Sequence, residues 1–288
     1  MRPPGFEPGS SAWQAGGEID WSVLREGFID YLASRGLNER YRRGLIRYLD
    51  KYVTVIRGPG DVVRLFAGVR RARHHLALGL RNLFNYLEIE GFSAYRLSLL
   101  RRALPKIRQS IDVRVPSEGE ILDSLRRLRG IPEKYSALFN LLLDSGVRLV
   151  EGVRLIKGFE ETEDLGGFYR VDLGYCRGSK RAFYAYFTEE TCEELRRVAG
   201  IEDLTARNAS HYYQKYRFTA PKYLRKYAFD KMIELEIPES VADFIEGRSP
   251  RRIGAKHYLA LRRQADRFYR RYAEHLERLR EEAEDLQA

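Results

Sequence analysis

The sequence predicts a mainly α protein: an N-terminal helical domain, then a C-terminal α-rich domain carrying a small antiparallel β-sheet. Three observations predict it. Apolar residues recur at helical spacing through residues 20–105 and again after Pro116. Between those regions, residues 106–115 ("KIRQSIDVRV") have no period and run into Pro116, which marks residues 106–116 as an inter-domain linker. Finally, the period changes to two between Gly166 and Phe187, as strands require. A chain of 288 residues, 44% of them hydrophobic, can bury a core in each of two domains.

The elements follow in order. Residues 1–17, "MRPPGFEPGSSAWQAGG", are rich in Pro, Gly and Ser without a hydrophobic period, and read as a disordered leader. The N-terminal domain is expected over residues 18–105. "DWSVLREGFIDYLASRG" sets Trp21, Leu24, Phe28 and Leu32 on one helical face and stops at Gly36. "NERYRRGLIRYLDKYV" starts a second helix at Asn38, a good N-cap, and turns Tyr41, Leu45, Tyr48 and Leu49 inward. A "GPGD" turn at residues 58–61 precedes three further helical stretches, "VVRLFAGVR", "RHHLALGLRNLFNYLEIEG" and "SAYRLSLLRRALP", all with basic outer faces.

The second domain is expected over residues 117–258. "PSEGEILDSLRRL" opens it with Pro, Ser and acidic residues in the first turn. "ALFNLLL", in the most apolar helical region of the chain, is its core helix. "GGFYRVDLGYCRGSKRAFYAYF" supplies two or three short strands around a basic turn, and the chain is helical again after Thr188. Residues 259–288 form a long charged helix with a narrow apolar stripe: Leu261, Ala265, Phe268, Tyr272, Leu276 and Leu279. A narrow stripe on a charged helix docks on something.

Composition limits the function. Fifty-one Lys plus Arg against forty-one Asp plus Glu give a net charge of +10, which favours a polyanionic partner such as nucleic acid. No apolar run is long enough to span a bilayer and no signal peptide stands at the start, so a cytoplasmic, nucleoid-associated protein is expected. The two cysteines, Cys176 and Cys192, lack metal spacing, and the five histidines have no carboxylate at ligand distance in sequence. Neither a metal nor a cofactor is expected. Abundant Arg and Glu with two Met and two Cys fit a thermophile's composition.

One ordered set of residues carries chemistry. "SGVRLVEGVRLI" places Arg148 and Glu151 where one helix closes and the next opens; Lys180 follows in "RGSKRAFY", Lys222 and Arg225 in "APKYLRKY", Arg248 after Gly247, and Tyr258 in "KHYL". In order and spacing this set resembles the tyrosine recombinases, the phage integrase family. Lysine in place of the family's first histidine, and arginine in place of its second His or Trp, make it most similar to the archaeal, fusellovirus-type integrases of viruses and plasmids. The resemblance spans residues 117–272; over residues 18–115 it is one of helical architecture, that of a core-binding domain.

What the resemblance implies is a site-specific recombinase that cuts and rejoins DNA through a 3′-phosphotyrosine. Arg148 and Arg225 would hold the non-bridging oxygens of an anionic phosphodiester, a task suited to planar guanidiniums. Tyr258 would be the nucleophile. Its hydroxyl, of pKa about 10 when unperturbed, needs a cationic neighbourhood or a base, for which Lys222, Arg248 and Lys256 are candidates. Lys222 can act as a base only with a depressed pKa. Lys180 on the hairpin would protonate the leaving 5′ oxygen, with Arg177 and Arg181 as competitors, and Lys226 competes with Lys222. Tyr269 and Tyr272 are packing aromatics, and Glu151 supports an arginine.

Arg40, Arg42, Arg43, Arg70, Arg71, Arg73, Arg177, Arg181, Arg251 and Arg252 are expected to contact DNA, mostly along phosphate. The expected partner is double-stranded attachment-site DNA, with a homotetramer on DNA and a monomer or weak dimer in solution; the resemblance implies that the helix of residues 259–288 docks on a neighbouring protomer. The leader's "GFEP" back-translates to codons that include GGG-TTC-GAA-CCC, which resembles the T-arm of transfer-RNA genes. This fits an attachment site lying inside the integrase gene, and integration or excision of a mobile element at a tRNA gene. Two rivals stay open: a type IB topoisomerase-like enzyme, and a non-catalytic basic helical DNA-binding regulator.

Overall fold

The computed structural model describes residues 17–106, 111–160, 162–177, 180–248 and 260–285. The chain divides into two compact units, residues 1–111 and 112–288. In the first, α1 (Trp21–Ser34) is capped by Asp20, whose carboxylate accepts from the Ser22 N–H. Its buried face is Trp21, Leu24, Phe28 and Leu32, the face read from the sequence. Asn38 caps α2 (Glu39–Tyr52), which buries Leu45 and Leu49; Tyr41 and Tyr48, expected inward, are respectively exposed and half-buried. The "GPGD" segment is the start of a helix rather than a free turn. Pro59 is the first residue of α3 (Pro59–Gly68) and Asp61 stands in its first turn, because proline's missing N–H is harmless where a helix begins.

The unit is completed by α4 (Arg73–Ile89) and α5 (Ala94–Ala103). A two-residue ladder of β1 (Ile19–Asp20) with β2 (Val55–Ile56), too short to carry a period, ties the start of α1 to the end of α2. Gly79 lets α4 lie directly on α2: an added Cβ would meet Leu49 Cγ at 3.2 Å.

The second unit begins inside the stretch read as linker. Asp112 accepts from the Lys222 amine at 3.0 Å, Lys226 donates to the carbonyls of Asp112 and Arg114, and the Arg114 guanidinium stacks on Tyr223. A full capping box, Ser117 with Glu120, then starts α6 (Glu118–Arg126). Buried almost throughout, α7 (Glu133–Ser145) is the central helix; α8 (Leu149–Lys157) follows it directly. Three antiparallel strands in the order β3 (Glu163–Asp164), β4 (Phe168–Arg177) and β5 (Lys180–Thr188) form the sheet. The register slips between Asp172 and Tyr175, and the hairpin closes with Arg177 opposite Lys180. Helices α9 (Glu189–Val198), α10 (Ala206–Lys215), α11 (Pro221–Glu234) and α12 (Glu239–Ile245) complete the shell.

The last helix is α13 (Leu261–Asp285). Its apolar stripe faces its own chain and is part of the second unit's core, with Tyr269 and Tyr272 fully buried. Tyr269, read as a packing aromatic, lies in this core, and so do His275 and Arg280, whose polar ends hid the fact that they point inward. Tyr269 and Tyr272 donate to the carbonyls of Asp144 and Leu143 at 3.0 and 2.9 Å, at the end of α7. Arg280 donates to the Asp144 carboxylate and to the hydroxyls of Thr188 and Thr191, all buried. The other Asp144 oxygen accepts from the Thr188 N–H and hydroxyl.

Removing one partner of a buried ion pair leaves the other charge uncompensated, so Arg280→Ala should destabilise the second unit by about 3–5 kcal/mol. Both tryptophans, Trp13 and Trp21, belong to the first unit. Urea denaturation is therefore expected to show a lowered midpoint by circular dichroism with an unchanged tryptophan-fluorescence transition. Equal midpoints for both proteins by circular dichroism would mean that α13 does not hold the core.

Candidate active site

The site is built around the joint between α7 and α8. Gly146 ends α7 in the left-handed region at φ +59°, and Arg148 is the N-cap residue of α8. Glu151 folds back over that turn: one carboxylate oxygen accepts from the Arg148 N–H at 2.9 Å, the other from Arg148 Nη1 at 2.8 Å. Arg148 is thus oriented by a buried carboxylate while its side chain keeps 27% exposure.

Arg225 reaches the same joint from the first half of α11. Its Nη1 donates to the carbonyls of Gly146 and Glu246, at 2.6 and 2.7 Å. The second acceptor is the C-cap residue of α12, so one guanidinium bridges the ends of two helices. Burial pushes the Arg225 pKa down to about 10, and Arg148 and Arg248 push the same way against Glu246.

Arg248 completes the group. Gly247, at φ +67°, turns the chain after α12, and the Arg248 N–H donates back to Asp243 O at 2.7 Å. Its guanidinium stacks on Phe229 and places Nη2 2.7 Å from Glu246 Oε2. Three part-exposed guanidiniums therefore surround two buried carboxylates, Glu151 and Glu246.

The lysines differ. The Lys222 side chain is exposed and bound to Asp112, which raises its pKa, the opposite of what a general base needs. Asp112 in turn is held down to about 2, chiefly by that Lys222 bond. Lys226 is taken up by backbone carbonyls of the same segment. Lys180, Arg177 and Arg181 stand by register at the closed end of the β4–β5 hairpin. Tyr258, Lys256, Arg251 and Arg252 lie outside the described residues.

In the first unit Arg40 and Arg43 are exposed on α2, with Arg43 near Glu39 at 3.5 Å, while Arg42 is half-buried. Arg70 and Arg71 are exposed between α3 and α4. Arg73 has another engagement: its Nη1 donates to the carbonyls of Phe66 and Val69, capping the end of α3. Among the described residues no group of His, Cys, Asp and Glu could hold a metal ion, and no helix is long and apolar enough to cross a membrane.

The arginine joint lies within a span that matches a known family. The sequence profile of the archaeal phage integrases matches residues 113–275, more than half of the chain. The chain belongs to the archaeal phage integrase family. It is accordingly a tyrosine-type site-specific recombinase, with the integrase fold. No curated protein matches it in sequence. Among solved structures it is similar to lambda integrase residues 75–356, a dimer bound to a COC′ core site, with a TM-score of 0.61, 14% identity, and coverage of 80% of this chain and 95% of that one. It is also similar to a lambda integrase tetramer bound to a Holliday junction: TM-score 0.62, 14% identity, 81% and 79% coverage. At that identity the likeness is one of fold.

Sequence reasoning missed Glu246, Asp112 and Gly146. Glu246 was legible as an acid between the apolar "VADFI" and Gly247, a place where a charge must be buried. Asp112 was hidden by its place in an aperiodic stretch. A Cβ on Gly146 would come within 2.7 Å of Glu246 Oε1 in addition to the strain of its positive φ. Gly146→Ala should therefore cost about 1–3 kcal/mol in the second unit, measured as a lower urea midpoint by circular dichroism. An unchanged midpoint would show that the joint is not tightly packed.

Proposed function

We propose that the protein integrates or excises a mobile element by cutting and rejoining double-stranded DNA through Tyr258. The Tyr258 oxygen forms a bond to the scissile phosphorus as the P–O5′ bond breaks. The phenol proton leaves to a base, and the 5′ oxygen takes a proton from Lys180. Attack by a 5′ hydroxyl on the phosphotyrosine reverses the same steps, so the ester's energy is conserved and no nucleotide cofactor is consumed. Arg148, Arg225 and Arg248 bind the phosphate and the charge that develops on its non-bridging oxygens. The observation that carries this reading is the meeting of those three guanidiniums, drawn from three separate parts of the chain, at one helix joint.

Lys222 enters as a cation and not as the base, since its pairing with Asp112 favours the protonated form. The exposed arginines of the first unit, Arg40, Arg43, Arg70 and Arg71, track DNA phosphate and give salt-sensitive affinity. Lambda integrase, of the same fold, is found as a tetramer on a Holliday junction; a homotetramer on DNA is the assembly proposed for this chain. The target proposed is a tRNA gene, on the strength of the "GFEP" codons, which lie outside the described residues.

A nicked suicide substrate carrying the attachment site tests the chemistry. Wild type should form a covalent protein–DNA adduct that maps to Tyr258, and Tyr258→Phe should form none. Arg148→Ala and Arg225→Ala should each slow single-turnover adduct formation by about 100- to 1,000-fold. An adduct at another residue overturns the nucleophile, relaxation of any supercoiled plasmid without strand exchange favours a topoisomerase, and no adduct in wild type leaves a DNA-binding regulator.

A further inference from the structure

Glu246 has no place in the scheme above, yet it is the most enclosed charged group near the arginines. Its side chain has no solvent exposure. Among the described residues neither carboxylate oxygen has a hydrogen-bond partner, although Arg248 Nη2 is 2.7 Å and Arg225 Nε 3.6 Å from Oε2. Oε1 and Cγ rest on Gly146, where only a hydrogen would fit. Its own backbone carbonyl accepts from Arg225. A carboxylate buried at such cost, with its attraction directed at two guanidiniums, is not explained by packing.

We propose that Glu246 is a positioning residue of the recombinase site, its carboxylate holding the Arg225 and Arg248 guanidiniums converged on the scissile phosphate. The inference rests on the phosphate-binding reading of those arginines. Arg148 has its own carboxylate in Glu151, so the arginines are served by two acidic groups from separate helices. Arg248 depends most on Glu246: among the described residues its guanidinium also meets the Phe229 ring and, at 3.8 Å, Asp243 Oδ1. Arg225 is already fixed by two carbonyls, and Glu246 sets the tilt of its Nε edge.

Only the ionised carboxylate can do this, which gives the role a pH signature. Burial pushes the Glu246 pKa up to about 7; Arg225, Arg248 and Arg148 oppose the rise and Asp243 adds to it. Tyr272 of α13 also faces it and stays neutral, its own pKa raised by burial. The group therefore gains its charge as pH rises through neutrality, and loses it as pH falls. Positioning is present above that pH and absent below it.

The test is single-turnover adduct formation on the nicked substrate from pH 5.5 to 8.5, for wild type and Glu246→Gln. The amide keeps the shape against Gly146 and the carbonyl bond to Arg225, and removes the charge. The ratio of the two rates cancels the titration of Tyr258, which both proteins share. It is expected to be near one at pH 5.5 and to reach about 10- to 100-fold at pH 8, the scale of a small misplacement of catalytic groups. DNA affinity should change less than twofold. Glu246→Gln should also add nothing to the loss caused by Arg248→Ala, since it acts largely through that guanidinium.

A ratio that stays constant across pH, or stays at one, overturns the proposal. Should Glu246→Gln fail to fold, Glu246→Asp reads the same role: slower cleavage at pH 8 than wild type supports it, and equal rates at every pH overturn it. Wild type without an adduct at any pH overturns the functional reading and this role with it. Wild-type adduct with a pH-independent ratio removes only Glu246.

Discussion

A single guanidinium group sets the geometry on which the rest of the second unit depends. Arg225 Nη1 donates to Gly146 O and Glu246 O and so bridges the last turn of α7 to the end of α12. Both carbonyls are at helix C-termini, where the backbone oxygens lack partners within the helix and carry the negative end of its dipole. A cation is the natural occupant of that place. Once it is there, Arg148 two residues beyond Gly146 and Arg248 two residues beyond Glu246 are brought to the same point. A lysine could supply the charge but could not bond both carbonyls through a planar nitrogen and still present a second edge.

The consequence is a site that is cationic by geometry more than by net charge. Glu151 and Glu246 offset part of the charge of the three arginines, so the +10 of the whole chain is carried largely by cations outside this joint. Under the proposed phosphate-binding role, recognition depends on the directions of N–H groups that are already fixed by hydrogen bonds within the chain. Such preorganisation is worth most where water is excluded and no reorientation is needed during reaction. The carboxylates weaken the arginines' field and set their directions at the same time.

The fold was legible in the sequence where one physical signal dominated. The faces of α1 and α7, the N-caps Asn38 and Ser117, and the period-two stretch of the sheet follow from local sequence, because burial and capping act within a few residues. Arg148, Arg225 and Arg248 were legible through their resemblance to a family, not through their surroundings. The failures have a common cause. Asp112, Glu246, Arg73 and Arg280 are polar residues whose roles are set by partners far away in sequence, and no local period reports a carbonyl or carboxylate waiting at the other end. The stripe of α13 was seen, but a stripe says only that something covers it. Whether the cover is a neighbour or the same chain depends on Tyr269 and Arg280 finding acceptors at the end of α7.

That cover links stability to the site. Tyr269, Tyr272 and Arg280 bind the carbonyls and carboxylate of Leu143 and Asp144, one residue short of the left-handed Gly146. The same turn receives Arg225 at the Gly146 carbonyl. The end of α7 is thus held by a helix at the end of the chain and by a guanidinium of the site, through different atoms of residues 143–146. The core helix α13 and the site arginine Arg225 therefore share one short segment of backbone, residues 143–146. On the proposed role of Arg225, substitutions on α13 are expected to act on catalysis through the position of the Gly146 carbonyl.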